Sequence, residues 1–163
     1  MPSRIYLSLG SNLGDREHHL REAISRLRAL GQLAAISSFY ETEPVDFIDQ
    51  PWFLNTVVAL DTDQTAPQLM SAMLAIEEAM GRVRNQSKGP RVIDLDILLF
   101  GDQVIDTPTL TVPHPAMPER RFVLAPLAEI APDTVHPLLH KTISGLLEEL
   151  PAGQTVRKYE PGR

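Results

Sequence analysis

The chain has no cysteine among its 163 residues, which excludes disulfides, thiolate metal sites and cysteine nucleophiles. No apolar run is long enough to cross a bilayer, and the N-terminus enters a strand pattern at once without a leader-like stretch, so the cytoplasm is the expected compartment. Positive charge is scarce: 15 Lys+Arg stand against 21 Asp+Glu, a formal charge of −6, which argues against general nucleic-acid binding but leaves room for a local basic face. There is no Gly-x-Ser-x-Gly elbow and no triad spacing, so nucleophilic hydrolysis has little support. The stretch Gly10-Ser11-Asn12-Leu13-Gly14 lacks the Lys-Ser/Thr of a Walker loop and the third glycine of a dinucleotide fingerprint. It reads as a tight turn with Asn12 or Asp15 capping the next helix, and no catalytic role is assigned to it.

The composition, 43% hydrophobic and 22% charged, is that of an ordinary globular protein, and the length suits a single domain over 1–163. Alternation marks strands over residues 5–9, 34–40, 53–61 and 92–100. Helical spacing of Leu20, Ala23, Ile24, Leu27 and Leu30 ends at Gly31, and a capping box at Thr65-Ala66-Pro67-Gln68 opens a second helix that Gly81 stops. Residues 41–52 read as a loop, Gly101-Asp102 as a hairpin turn into a short strand at Val104-Ile105, and 108–118 as a Pro-rich connection. Helices at 122–130 and 142–150 and an edge strand at Val156 follow. The order β-α-β-β-α-β predicts an α+β, ferredoxin-like sandwich: an antiparallel sheet with helices against it, plus C-terminal helices.

Asp94 and Asp96 are the most informative residues. They sit in Gly89-Pro90-Arg91-Val92-Ile93-Asp94-Leu95-Asp96-Ile97-Leu98, where strand alternation sends both carboxylates to one face, about 7 Å apart. Ile93, Leu95 and Ile97 point the other way, into a core. Like charges side by side on a strand repel, and a hard cation such as Mg²⁺, which takes one or two carboxylates and fills its shell with water and phosphate oxygens, gives them a purpose. A solvated strand face is the bland alternative. Just upstream, residues 82–91 hold Arg82, Arg84, Lys88 and Arg91 and no acid. A solvated loop is the bland reading there, but cations beside a carboxylate pair suit a metal-bound polyphosphate.

Other candidates are weaker alone. His114, in Val112-Pro113-His114-Pro115, is a proline-loop histidine that could donate to a phosphate oxygen, and Arg120 and Arg121 follow it. Phe53 and Asn55 share a strand face, a ring beside an amide able to read a heterocycle's edge; Phe53 by itself reads as core, while a buried Asn55 needs partners. His18 and His19 point to different faces and form no metal pair, and His136 and His140 read as surface or core.

Together these segments resemble the 6-hydroxymethyl-7,8-dihydropterin pyrophosphokinases of folate biosynthesis. The resemblance is carried by Gly10-Ser-Asn-Leu-Gly14, Ser37-Ser-Phe-Tyr-Glu-Thr42, Asp49-Gln-Pro-Trp-Phe-Leu-Asn55, Gly81-Arg-Val-Arg84, Gly89-Pro-Arg91, Asp94-Leu-Asp-Ile-Leu98 and Leu110-Thr-Val-Pro-His114. It implies a monomeric enzyme that moves the β,γ-diphosphate of ATP to the pterin's hydroxymethyl oxygen and releases AMP. It implies that Asp94 and Asp96 hold two Mg²⁺ ions, and that Arg82, Arg84 and Arg91 form the catalytic loop and phosphate clamp, with Lys88 beside them on the ATP. His114 and Arg120 resemble further phosphate contacts, and Glu77, Ile97 and Thr111 fall where the nucleotide is held. Phe53 and Phe122 fall where two rings sandwich the pterin, while Thr42, Pro44, Val45 and Asn55 resemble the groups reading its edge, with Asp94 adjoining. The chain departs from the family's pattern at Lys88, where a Trp is common, in a loop one residue shorter, and at Thr109 and Pro115. Two rivals stand beside this reading: a non-catalytic ferredoxin-like binding module, and a kinase that transfers only the γ-phosphate.

Overall fold

The computed structural model describes residues 2–43, 51–82 and 91–160. In chain order it contains β1 (Ser3–Ser11), α1 (Arg16–Leu27), β2 (Gln32–Ile36), β3 (Tyr40–Thr42), β4 (Phe53–Thr62), α2 (Ala66–Ala79) and β5 (Asp94–Phe100). After these come β6 (Ile105–Asp106), β7 (Thr111–Val112), α3 (Arg121–Ile130), α4 (Ile143–Glu149) and β8 (Val156–Lys158). The main sheet is antiparallel, in the order β5-β1-β4-β3-β8, with β2 also paired to β4. Taking β2 and β3 as one broken strand, this is the β-α-β-β-α-β sandwich expected from the sequence.

Each face of the sheet buries its own core. Ile5, Leu7 and Leu9 of β1, Leu54, Val58 and Leu60 of β4 and Leu95 and Ile97 of β5 pack against Leu20, Ala23, Ile24 and Leu27 of α1 and Leu69, Met73 and Ile76 of α2. On the other face Tyr6, Val57, Ala59 and Leu98 meet Val123, Leu124 and Leu127 of α3 and Ile143 and Leu146 of α4. Strand alternation therefore puts Asp94 and Asp96 on the α3 side, together with Leu98, as expected.

Local chemistry sets the boundaries. Asp15 caps α1 by accepting from the His18 amide, and Thr65 and Gln68 close the anticipated capping box on α2. Gly81 adopts φ 90°, a left-handed conformation that ends α2 at little steric cost. Three expectations need correction. The strand anticipated over 34–40 is broken, because Ser37 turns its hydroxyl into the ladder and accepts from the Val57 amide at 3.0 Å. As a result β3 takes Glu41 and Thr42 from the expected loop. Helix α1 stops at Leu27, short of Gly31, and β6 pairs with β7 in a separate two-stranded sheet, so Gly101-Asp102 does not make a hairpin with β5.

Candidate active site

The site lies on the α3 side of the sheet, where β5, β1 and β4 run side by side. Gly10 of β1 pairs with Asp94 of β5 on one side and Asn55 of β4 on the other. Paired residues project from the same face at roughly 5 Å spacing, so a carboxylate and an amide about 10 Å apart look across a position with no side chain. The hollow is snug: a Cβ on Gly10 would lie 2.8 Å from Asn55 Oδ1 and 3.5 Å from Phe53 Cδ1. Asn55 is buried and donates through Nδ2 to Thr42 Oγ1 at 2.8 Å, which leaves its Oδ1 turned toward Gly10. Thr42 in turn pairs with Phe53 in the β3–β4 ladder.

The opposite wall is charged. Arg82, just past α2, donates from one Nη1 to Glu77 Oε2 at 2.7 Å and to Asp94 Oδ1 at 2.8 Å. Arg91 donates to the other oxygen, Asp94 Oδ2, at 3.1 Å. Both guanidinium groups keep a buried Nε without a hydrogen-bond partner among the described residues. Glu77 is 2% exposed, which so buried a carboxylate tolerates because Arg82 pairs with it and the Leu95 amide donates to it at 2.7 Å. Asp96 differs: among the described residues no ion pair reaches it. Burial, reinforced by the neighbouring charge of Asp94 and opposed by Arg120 and Arg82, pushes its carboxyl up to about 7.

Two groups from the chain after β7 complete this side. His114 hangs from Leu98 by its amide at 3.0 Å, and its Nδ1 accepts from the Ala116 amide at 3.1 Å. Burial, and then Arg120, lowers its tendency to protonate, so the proton of the neutral ring resides on Nε2, a ready donor. Arg120 caps α3 and places its guanidinium 5.5 Å from the Phe122 ring.

The structure thus brings together Arg82, Arg91, Asp94 and Glu77 by direct contact, with Asp96, His114 and Arg120 coupled to them electrostatically, and Thr42, Phe53 and Asn55 across Gly10. Thr111 is exposed on β7, next to a groove of about 610 Å³ between α2 and the β6–β7 hairpin, lined by Met70, Leu74, Ile105 and Leu110 and free of charged side chains among the described residues. Ile97 has its side chain in the α1–α2 core, so it can offer a ligand only the backbone of an edge strand. Pro44, Val45, Arg84 and Lys88 lie outside the described residues. Sequence reading missed Gly10 and Asn12, dismissed as parts of a turn. Asn12 is fully buried, and its side chain accepts from the Arg91 amide at 2.7 Å and donates to the Pro51 carbonyl at 3.2 Å.

The arrangement can hold a hard cation through two carboxylates, an anion through several guanidinium groups, and a flat polar ring over Gly10. The chain is 47% identical over 135 residues to the 2-amino-4-hydroxy-6-hydroxymethyldihydropteridine pyrophosphokinase of Pseudomonas aeruginosa, covering 82% of this chain and 83% of that one. The Bacillus subtilis protein of the same name is 50% identical over 127 residues, 77% of this chain and 76% of its own. The folic acid synthesis protein fol1 of Schizosaccharomyces pombe is 43% identical over 156 residues, 94% of this chain, which spans only 21% of that fungal protein. A crystal structure of Plasmodium falciparum HPPK-DHPS superposes with a TM-score of 0.74 at 17% identity, covering 91% of this chain and 45% of that one, and so shares the fold. Residues 6–132, from within β1 through the whole of α3, match the family of 7,8-dihydro-6-hydroxymethylpterin-pyrophosphokinases (HPPK), the ATP-dependent pyrophosphokinases of folate biosynthesis, and the chain belongs to that family.

Proposed function

We propose that this chain transfers the β,γ-diphosphate of ATP to the hydroxymethyl oxygen of 6-hydroxymethyl-7,8-dihydropterin, acting as a monomer in the cytoplasm on these two small molecules. The observation that carries the reading is the row Asp94–Gly10–Asn55, which sets a guanidinium-capped carboxylate and a buried amide on either side of a residue with no side chain. The pterin fits over Gly10, stacked between Phe53 and Phe122, with the Asn55 oxygen and the Thr42 hydroxyl at its polar edge. Its hydroxymethyl arm then points toward β5. The uncharged groove beside Thr111 suits the nucleoside end of ATP, with the β5 backbone at Ile97 and the Glu77 end of α2 between it and the phosphates.

The donor set fits Mg²⁺. One or two carboxylates are the number this ion takes from a protein when phosphates and water supply the rest, and Asp94 and Asp96 lie on one face of β5 with no ion pair to Asp96 among the described residues. Two such ions held by Asp94 and Asp96 would neutralise triphosphate charge and acidify the attacking hydroxyl, so no separate protein base is required. The remaining work belongs to the chain's own groups. Arg82 and Arg91 would release Asp94 and turn their spare donors to the phosphate oxygens, where charge develops in transfer. Nε2–H of His114 and the Arg120 guanidinium would fix the outer phosphates, and Arg84 and Lys88 would add to the clamp. The test is to incubate the protein with ATP, Mg²⁺ and the hydroxymethyl-dihydropterin and identify the nucleotide formed. AMP with pterin diphosphate is expected; ADP would refute two-phosphoryl transfer, and no pterin-dependent product would refute the reading.

A further inference from the structure

The turn between β1 and α1 has no role in the chemistry above, yet its buried Asn12 touches both halves of the site. The last β1–β5 pair is Gly10 with Asp94. Asn12 extends that pairing with a substitute: its backbone N–H donates to the Arg91 carbonyl at 3.0 Å, while its side-chain Oδ1, in place of a backbone carbonyl, accepts from the Arg91 N–H at 2.7 Å. Arg91 is the residue whose guanidinium caps Asp94. The other end of the same carboxamide, Nδ2, donates at 3.2 Å to the carbonyl of Pro51, two residues before Phe53 at the start of β4. Four residues on, Arg16 braces only the second half, donating to the Trp52 carbonyl at 2.9 Å and to Glu41 at 3.1 Å.

The donor and acceptor must come from one short planar group. Aspartate would offer the Arg91 amide an acceptor but set a second oxygen against the Pro51 carbonyl, and alanine would leave both backbone groups without this partner. Because a carboxamide is rigid, fixing Arg91 fixes the orientation of the plane that holds Pro51. The ordering cost of the two anchors is then shared: whichever ligand settles its own side first reduces what the other must pay.

We infer that Asn12 is a positioning residue that couples the triphosphate half-site to the pterin half-site, so that each ligand tightens the other. The inference rests on the functional reading given above. Coupling of this kind is reciprocal and commonly amounts to about 5- to 150-fold in affinity.

The experiment uses the full chain and titration calorimetry with two unreactive probes, α,β-methylene-ATP with Mg²⁺ and 6-hydroxymethylpterin. The pterin's Kd is measured alone and at saturating nucleotide analogue, and the ratio of the two is the coupling factor. The wild type should give about fivefold or more, and Asn12→Ala about one. Asn12→Asp should also lose the coupling while keeping its affinity for the nucleotide analogue, because the Arg91 arm survives; if the alanine variant does not fold, the aspartate variant decides. Hydrogen exchange at the Arg91 amide, read without ligand, should accelerate in Asn12→Ala and stay slow in Asn12→Asp. A purely structural role would weaken both ligands and leave their ratio alone. A ratio unchanged in the variants, or an uncoupled wild type that binds both probes, overturns the inference. A wild type that binds neither probe overturns the functional reading, and the inference with it.

Discussion

Replacing Gly10 by alanine tests the row across β5, β1 and β4 most directly. In a generic strand interior this change stabilises, by about 0.5–1 kcal/mol, because glycine loses more backbone freedom on folding. Here the new Cβ would stand 2.8 Å from Asn55 Oδ1, about 0.6 Å inside ordinary van der Waals contact. The Asn55 side chain has little room to retreat, since Nδ2 is tied to Thr42 Oγ1 at 2.8 Å and the residue is only 3% exposed. Moving the carboxamide strains or breaks that bond, and an unmet buried polar group costs about 1–3 kcal/mol. Whether this falls on folding or on ligand binding, the sign opposes the generic one. The expected outcome is no gain in urea midpoint and a roughly 5- to 150-fold loss of pterin affinity, with the affinity for the nucleotide analogue little changed. Fluorescence titration of the pterin and a denaturation curve measure both. A variant more stable than wild type that binds pterin as well would refute the hollow as the ring's seat.

Asp96→Ala should leave the fold intact, because it removes a half-buried carboxyl with no ion-pair partner among the described residues, while Mg²⁺-dependent turnover falls by about a hundredfold or more. Near-normal turnover in that variant would defeat the metal assignment. Arg82→Ala and Arg91→Ala should lower kcat more than they weaken ATP binding, since the clamp acts as charge develops; steady-state kinetics in which only KM moved would contradict this. Away from the site, burial alone would raise the Glu129 carboxyl, but hydrogen bonds from the Tyr40 hydroxyl and from the Ser38 amide and hydroxyl outweigh it and hold the group below its ordinary range. A depressed carboxyl contributes its stability above its unfolded value and loses it as pH falls through the folded one. Urea midpoints followed from pH 6 downward should therefore drop more steeply in wild type than in Glu129→Gln, and parallel curves would refute the linkage.

How much of this was legible in the sequence depends on how far apart the interacting residues lie. The Thr65–Gln68 box and the Asp94–Asp96 pair are set by local periodicity and came through: both carboxylates share a face, and the strand behind them is core. The break at Ser37 did not, because the hydroxyl's competition for the β4 ladder needs Val57, twenty positions away, to be visible. Gly10 and Asn12 were hidden for the same reason. Their partners are Asn55 and Asp94 across two strands, and Pro51 and Arg91 at separations of 39 and 79 residues. A helix cap and a strand-extending carboxamide call for the same residue types, and local pattern could not tell them apart. Asp15 turned out to be the cap, which freed Asn12 for the longer reach.

The position of Arg82 follows from the same geometry. A guanidinium beside a single carboxylate on a protein surface is worth little, because solvent screens it and its long side chain must be held still. This one is 15% exposed and divides one nitrogen between Glu77, on a helix, and Asp94, on a strand. Glu77 is further fixed by the Leu95 amide, so the helix-borne carboxylate, the strand and the arginine form one rigid unit. Removing the charge of Glu77 should therefore act at two points. Glu77→Gln would reduce its hold on Arg82 from an ion pair to a neutral hydrogen bond and weaken the bond from Leu95 to the same oxygen, at a cost of about 3 kcal/mol in stability for a broken buried pair. The same change should lower kcat, because an arginine held mainly by the carboxylate it must vacate has a weaker fixed point about which to turn. If denaturation midpoint and kcat both stayed at wild-type values, Glu77 would be a bystander and the placement of Arg82 would need another cause.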